Sequence, residues 1–102
     1  MKFTELVNNV WEKDRIKELG TRKYEVKDVL QLAFSEIIEG LERDGFVKME
    51  GFGTIELRRR KGGKHMDYTS GRILEHPDYY KIVLKPSKAM KTAIENRREA
   101  EL

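Results

Sequence analysis

The stretch that decides the fold is "GFGTIELRRRKGG", residues 51–63. Ile55 and Leu57 alternate with Thr54 and Glu56, the period-two pattern of a strand with one wet face. That strand runs into Arg58, Arg59, Arg60 and Lys61 and then into Gly62–Gly63, with no acid expected nearby to neutralise it. One or two cations are enough to keep a strand edge from pairing with another chain. Four adjacent ones repel each other, so the run points to contact with phosphates.

Working outward, Val47 and Met49 alternate with Lys48 and Glu50, giving a first strand joined to the second through the turn "EGFG". On the far side, residues 61–72 hold almost no large aliphatic side chains. "DYTSG" (Asp67 to Gly71) has turn chemistry and ends in a glycine able to take positive φ. Alternation returns in "YYKIVLK", with Tyr80, Ile82 and Leu84 on one side and Tyr79, Lys81, Val83 and Lys85 on the other. Pro77, which donates no hydrogen bond, belongs outside that ladder. Residues 58 to about 78 therefore read as a polar two-stranded arm. An isolated ribbon of this kind is marginal in water, so the arm is expected to become ordered on a partner.

The flanks are helical. Thr4 is the expected cap of a first helix bearing Phe3, Leu6, Val7, Val10 and Trp11; its pattern fades over Lys13 to Leu19 and Gly20 marks a stop. Thr21 is the expected cap of a second helix, on which Val26, Val29, Leu30, Ala33, Phe34, Ile37, Ile38 and Leu41 form a stripe wide enough for more than one neighbour. Gly45 is placed to end it in a left-handed conformation. Pro86 or Ser87 opens a last helix carrying Ala89, Met90, Ala93 and Ile94, whose final charged residues are expected to project into solvent. The order is α, α, β, β, arm, β, α. Without the arm roughly eighty residues remain, about the size at which one core barely suffices, so a homodimer with a shared core is expected.

Composition narrows the function. The 102 residues fit a single domain; no cysteine is present, no apolar run is long enough to span a bilayer, and the N-terminus lacks the core of a secretory signal. A small cytoplasmic protein with no membrane partner is the expectation. The net charge of +3 hides a segregation: residues 1–50 carry −2, residues 51–94 carry +6 and the last eight carry −1. A basic middle suggests a polyanion partner. No nucleophile has an evident base partner, so no enzyme and no cofactor are expected. His65 and His76 lie on the arm, without cysteine or ligand spacing around them, and read as surface histidines, leaving no metal site expected. Trp11 and Tyr24 read as core or core-edge residues.

These residues together resemble the HU/IHF family of histone-like, DNA-bending proteins. "GFGTIEL" followed by a basic arm is similar to the family's "GFGTFEV…R". "SGRILEHPDYYKIVLKPSKAMK" follows the family's downstream pattern without a gap, and "TELVNNVWEK" resembles its opening helix. Between the first two helices the chain is several residues longer than that pattern. The resemblance covers residues 3–95. It implies an α+β fold: an intertwined dimer with a helical base, an antiparallel β-saddle and two β-ribbon arms that wrap duplex DNA. By position, residues 1–45 correspond to the helical dimerisation part, 46–85 to the saddle with its arm at about 58–78, and 86–102 to the C-terminal helix and charged tail. In the family the arms lie in the minor groove and bend the duplex, a proline near each tip wedging between base pairs.

The resemblance thus implies an architectural, largely sequence-nonspecific duplex-DNA-binding protein associated with the nucleoid, acting as a homodimer or with a related subunit. The candidate DNA-binding residues are Arg58, Arg59, Arg60, Lys61, Lys64, Tyr68, Arg72, Lys81, Lys85, Lys88 and Lys91. The tip departs from the family: "MDYTSG" replaces "RNPxTG", with Tyr68 in place of the wedging proline and Asp67 expected to meet phosphates with the wrong sign. Gly62–Gly63 is expected to loosen the base of the arm. The altered tip motivates an alternative, a divergent assembly or protein-interaction module in which DNA binding is weak or lost.

Overall fold

The first strand is launched by a glycine cap. Gly45 takes φ +78°, its N–H closes the preceding helix on Leu41 O at 3.0 Å, and its own carbonyl accepts the Leu57 N–H at 2.9 Å. The structure, a computed structural model, describes residues 1–100. Among them the chain forms α1 (Phe3–Trp11), α2 (Asp14–Glu18), α3 (Lys23–Asp44), β1 (Phe46–Met49), β2 (Gly53–Arg60), β3 (Lys64–Met66), β4 (Ile73–Glu75), β5 (Tyr79–Pro86) and α4 (Lys88–Ala100). Two compact units divide the chain, Met1–Glu39 and the part from Gly40 onward, with the boundary inside α3. Glu101 and Leu102, the end of the expected charged tail, lie outside the described residues.

In the first unit two caps differ from expectation. Thr4 does not cap α1, because the Leu6 N–H already bonds to Lys2 O at 3.0 Å and the helix begins at Phe3. Thr21 does not cap α3 either. Its carbonyl accepts the Trp11 indole N–H at 3.2 Å, and the cap position falls to Arg22, whose N–H donates to Glu25 Oε1 at 3.0 Å. That is one half of a capping box. Where the apolar pattern fades, over Lys13 to Leu19, the chain winds into the short α2. The Lys17 and Lys23 ammonium groups stand 5.5 and 5.8 Å from the centre of the Trp11 ring, which places this residue at the core edge. Val7 and Val26 are buried, and the Phe3 and Phe34 rings meet tilted at 5.8 Å between centroids. Tyr24, by contrast, is exposed in the single chain.

The second unit holds two sheets. One is antiparallel in the order β1–β2–β5, in register from Gly53↔Pro86 to Arg60↔Tyr79; the other is the ribbon β3–β4. The pairing confirms the period-two reading: Val47, Ile55, Leu57, Ile82 and Leu84 share one face. Gly53 is required by close approach, since a Cβ there would meet the Lys85 carbonyl oxygen. Pro77 lies between β4 and β5, outside both ladders. Ser87 caps α4, its Oγ accepting the Met90 N–H at 3.0 Å while its own N–H bonds to Phe52 O at 3.0 Å.

Very little apolar surface is withdrawn from water in one chain. Among the described residues the buried hydrophobic side chains are Val7 and Val26 in the first unit and Leu41 in the second, while Val29, Phe34 and Ile38 of the α3 stripe and Ile82 and Leu84 of β5 are exposed. A lone chain this open does not offset its conformational entropy.

Candidate nucleic-acid interface

The pleat splits the cationic run. Glu56, Arg58 and Arg60 point to one face of β2, and Arg59 to the other. Directly opposite partners share a face, so β5 adds Lys81 (opposite Arg58) and Lys85 (opposite Thr54), and β1 adds Lys48, also opposite Thr54. Arg58, Arg60, Lys81, Lys85 and Lys48 therefore crowd one face of a three-stranded sheet. Like charges opposite each other destabilise a sheet. A function that uses them is a physical reason to keep them there.

Lys48 is absent from the candidates read out of the sequence. The alternation in "VKME" puts it on the wet face, but only the register with Thr54 and Lys85 shows which cations it joins. A cleft of about 370 Å³ at this end of the sheet is lined by Lys48, Thr54, Lys85 and Ser87 among others.

The face carries its own counter-ion. Arg58 donates from Nε and Nη2 to Glu56 Oε2 at 3.1 and 2.9 Å, and Lys85 Nζ lies 3.2 Å from Glu56 Oε1. The Arg58 bond, then the Lys85 bond, hold the Glu56 carboxyl below its ordinary value. Arg59 has a partner too: its Nη2 bonds to Asp78 Oδ2 at 2.9 Å. The expectation of a run with no acid nearby is thus corrected: Glu56, two residues upstream of Arg58, and Asp78, just before β5, each pair with it. Among the described residues, Arg60, Lys61, Arg72, Lys81, Lys88 and Lys91 have no ion-pair partner.

At the base of the arm Gly62 is held closely. Its N–H donates to Asp78 Oδ1 at 2.9 Å, and a Cβ at this position would collide with the carbonyl oxygens of His76 and Pro77. The expected loosening is therefore absent at Gly62, where the glycine serves close backbone approach. Lys64 opens β3 and pairs with Glu75 at 3.3 Å. At the tip the Asp67 carboxylate accepts the Thr69 N–H at 3.0 Å and the Ser70 hydroxyl at 2.8 Å. These bonds, the serine's first, lower its pKa. The Asp67 N–H donates to Arg72 O at 2.8 Å, and the Gly71 N–H, at φ +68°, to Asp67 O at 2.7 Å. Asp67 thus builds the turn, and the same bonds favour its ionised form, so the tip keeps its negative charge. Tyr68, on the turn, is 94% exposed. Lys88 and Lys91 stand in the first turns of α4.

The family described as "Bacterial DNA-binding protein" matches residues 1–95. The chain belongs to this family. Its resemblance to HU and IHF extends to individual relatives: it is 32% identical over 94 residues to the DNA-binding protein HU of Geobacillus stearothermophilus, covering 92% of this chain and 99% of that one. With the integration host factor subunit alpha of Pseudoalteromonas atlantica it shares 27% over 97 residues, covering 95% and 94%. An HU–DNA cocrystal structure from Anabaena superposes with a TM-score of 0.75 at 26% identity, covering 92% of this chain and 97% of that one. The α+β fold with antiparallel strands and β-arms is that of the HU/IHF family, as the signature residues around Gly53 imply. The match is to DNA-binding proteins and not to enzymes. Among the described residues no helix is long and apolar enough to cross a membrane.

Proposed function

We propose that this protein is an architectural duplex-DNA-binding protein that works as a dimer, grips phosphates through its basic sheet face and arms, and bends the duplex. The observation that carries this reading is the convergence of Arg58, Arg60, Lys81 and Lys85 on one face of the sheet, continuous in sequence with the arm. Lys61, Lys64 and Arg72 extend the contact along the arm, Lys48 joins it at the sheet, and Lys88 and Lys91 serve the DNA flanks. Arg59, turned to the other face and paired, contributes least. Residues 1–45 supply dimerisation, 46–85 the saddle and arm, 86–102 the last helix and tail. Association with the nucleoid, and hence a cytoplasmic location, follows from binding bulk DNA.

Cations aimed at phosphates and the minor groove read sequence poorly, so binding is largely nonspecific. Titration of a short duplex at a series of salt concentrations tests this. With about six to ten phosphates neutralised per dimer, the slope of log K against log salt is expected to be about −5 to −9. A flat dependence overturns it. Tyr68, almost fully exposed on each tip, is the residue placed to stack on an opened base step. Energy transfer between end labels reports the bend, and Tyr68→Ala is expected to reduce it. An undiminished bend removes Tyr68 as the wedge.

A second reading is favoured by the pairing of Arg58, Arg59, Lys64 and Lys85 with the chain's own acids: a divergent assembly module with weak or lost DNA binding. Absence of duplex binding at moderate salt would select it.

A further inference from the structure

His65 and His76 share no sequence motif and lie eleven positions apart. The ribbon brings them together. The His76 N–H donates to Gly63 O at 2.9 Å, extending the β3–β4 ladder one pair beyond Lys64↔Glu75. His76 therefore stands opposite Gly63 and diagonal to His65, on the same face of the ribbon. Gly63 has no side chain, which leaves the two imidazoles room to meet. Their rings lie 14° from parallel with centroids 4.6 Å apart, yet the two Nε2 atoms are only 3.4 Å apart. The close approach is thus between the two Nε2 atoms.

The two nitrogens are within hydrogen-bond reach, one ring donating and the other accepting according to the tautomer. A metal ion can take the place of that shared proton at the same spacing. We propose that His65 and His76 form a two-histidine site for a zinc-class divalent transition metal, bound through both Nε2 atoms across the base of the arm. Zn–N bonds of about 2.0–2.1 Å at a tetrahedral angle separate two ligating nitrogens by roughly 3.3 Å, close to the spacing present here. Two imidazoles select zinc, copper or nickel over calcium or magnesium, which take oxygen ligands. Coordination requires the rings to turn until their lone pairs converge, and the final torsion of histidine is broad enough to allow it.

Lys64 and Glu75 project from the opposite face of the ribbon, and directly across from His65 stands Leu74. Among the described residues no third His, Cys, Asp or Glu joins the pair, so water completes the coordination. The ion ties β3 to the residue that follows β4, beside the Gly62–Gly63 step where the ribbon ends. It acts as a clip that keeps the base of the arm closed.

The test is titration of the metal-free, full-length protein with zinc chloride. One zinc per chain is expected, and the ring resonances of both histidines, the only two in the sequence, are expected to shift together. His65→Ala and His76→Ala should each weaken binding by more than the ~10-fold that removing an outer-shell partner costs. Zinc should also slow hydrogen exchange of the His76 N–H. Zinc that shifts neither ring or only one overturns the proposal, with no variant needed. So does a single variant that keeps the parent affinity, or binding that survives the double substitution.

Discussion

Glu56 is the residue on which the charge of the sheet face turns. Its carboxylate holds Arg58 and Lys85 at once, so each of them must leave it, or share it, to reach a phosphate. Glu56→Gln is therefore expected to raise duplex affinity a few-fold and steepen its salt dependence. Unchanged affinity in a parallel titration would mean that these cations do not face DNA. The pH sense follows from the lowered pKa. A depressed carboxyl contributes stability at any pH above its ordinary value near 4.5 and loses it as pH falls through the lower, folded value. The ion-pair pattern is thus intact at neutral pH and releases its cations only in acid below that point. A comparison of acid unfolding between the parent and Glu56→Gln should show the parent losing this extra stability there. Arg59 and Arg60 offer a second contrast at this scale. Arg60→Ala is expected to make the salt slope shallower, by about one for each phosphate that is no longer neutralised. Arg59→Ala should change it little, because Asp78 already neutralises that side chain on the other face. Equal effects would show that the pleat does not sort the run.

Elements are legible in the sequence to the extent that local periodicity sets them. Alternation around Ile55 and Ile82 reports which side chains share a face, because side chains of a strand alternate whatever its partner is. Gly45 and Gly71 signal a helix end and a turn, and both take positive φ. The charge balance of the arm is not legible. Asp78 reaches Arg59 across 19 residues of chain, and nothing near Arg59 signals it. Asp67 reads as a repulsive charge in the sequence, yet its hydrogen bonds to Thr69 and Ser70 make it the frame of the tip turn. The short α2 is equally hidden, because five residues give a periodic pattern too little length. At the arm base, Gly62→Ala forces a Cβ against two backbone carbonyls. A local cost of about 2 kcal/mol, typical of overpacking, is expected. Faster hydrogen exchange in β3–β4 with an unchanged melting temperature for the rest would match it; unaltered exchange would contradict the close approach.

On the scale of the molecule, the exposed α3 stripe calls for a partner. In a monomer, Ile38→Glu would be a surface change worth within about 0.5 kcal/mol. In a dimer that covers Ile38 it buries an unpaired charge, and sedimentation equilibrium should then show dissociation, with a weaker helix signal by circular dichroism. A variant that sediments and melts like the parent would mean that this face is not the dimer's. The same dimer doubles every basic surface, which is how a chain of net charge only +3 presents a concentrated cationic grip. The most direct measurement of that grip compares duplex titrations across salt for the parent and for Arg58→Ala/Arg60→Ala/Lys81→Ala. If the three side chains of each protomer touch phosphates, the slope should become shallower by about 5 units. Parallel lines for the two proteins would contradict the assignment of this face to DNA.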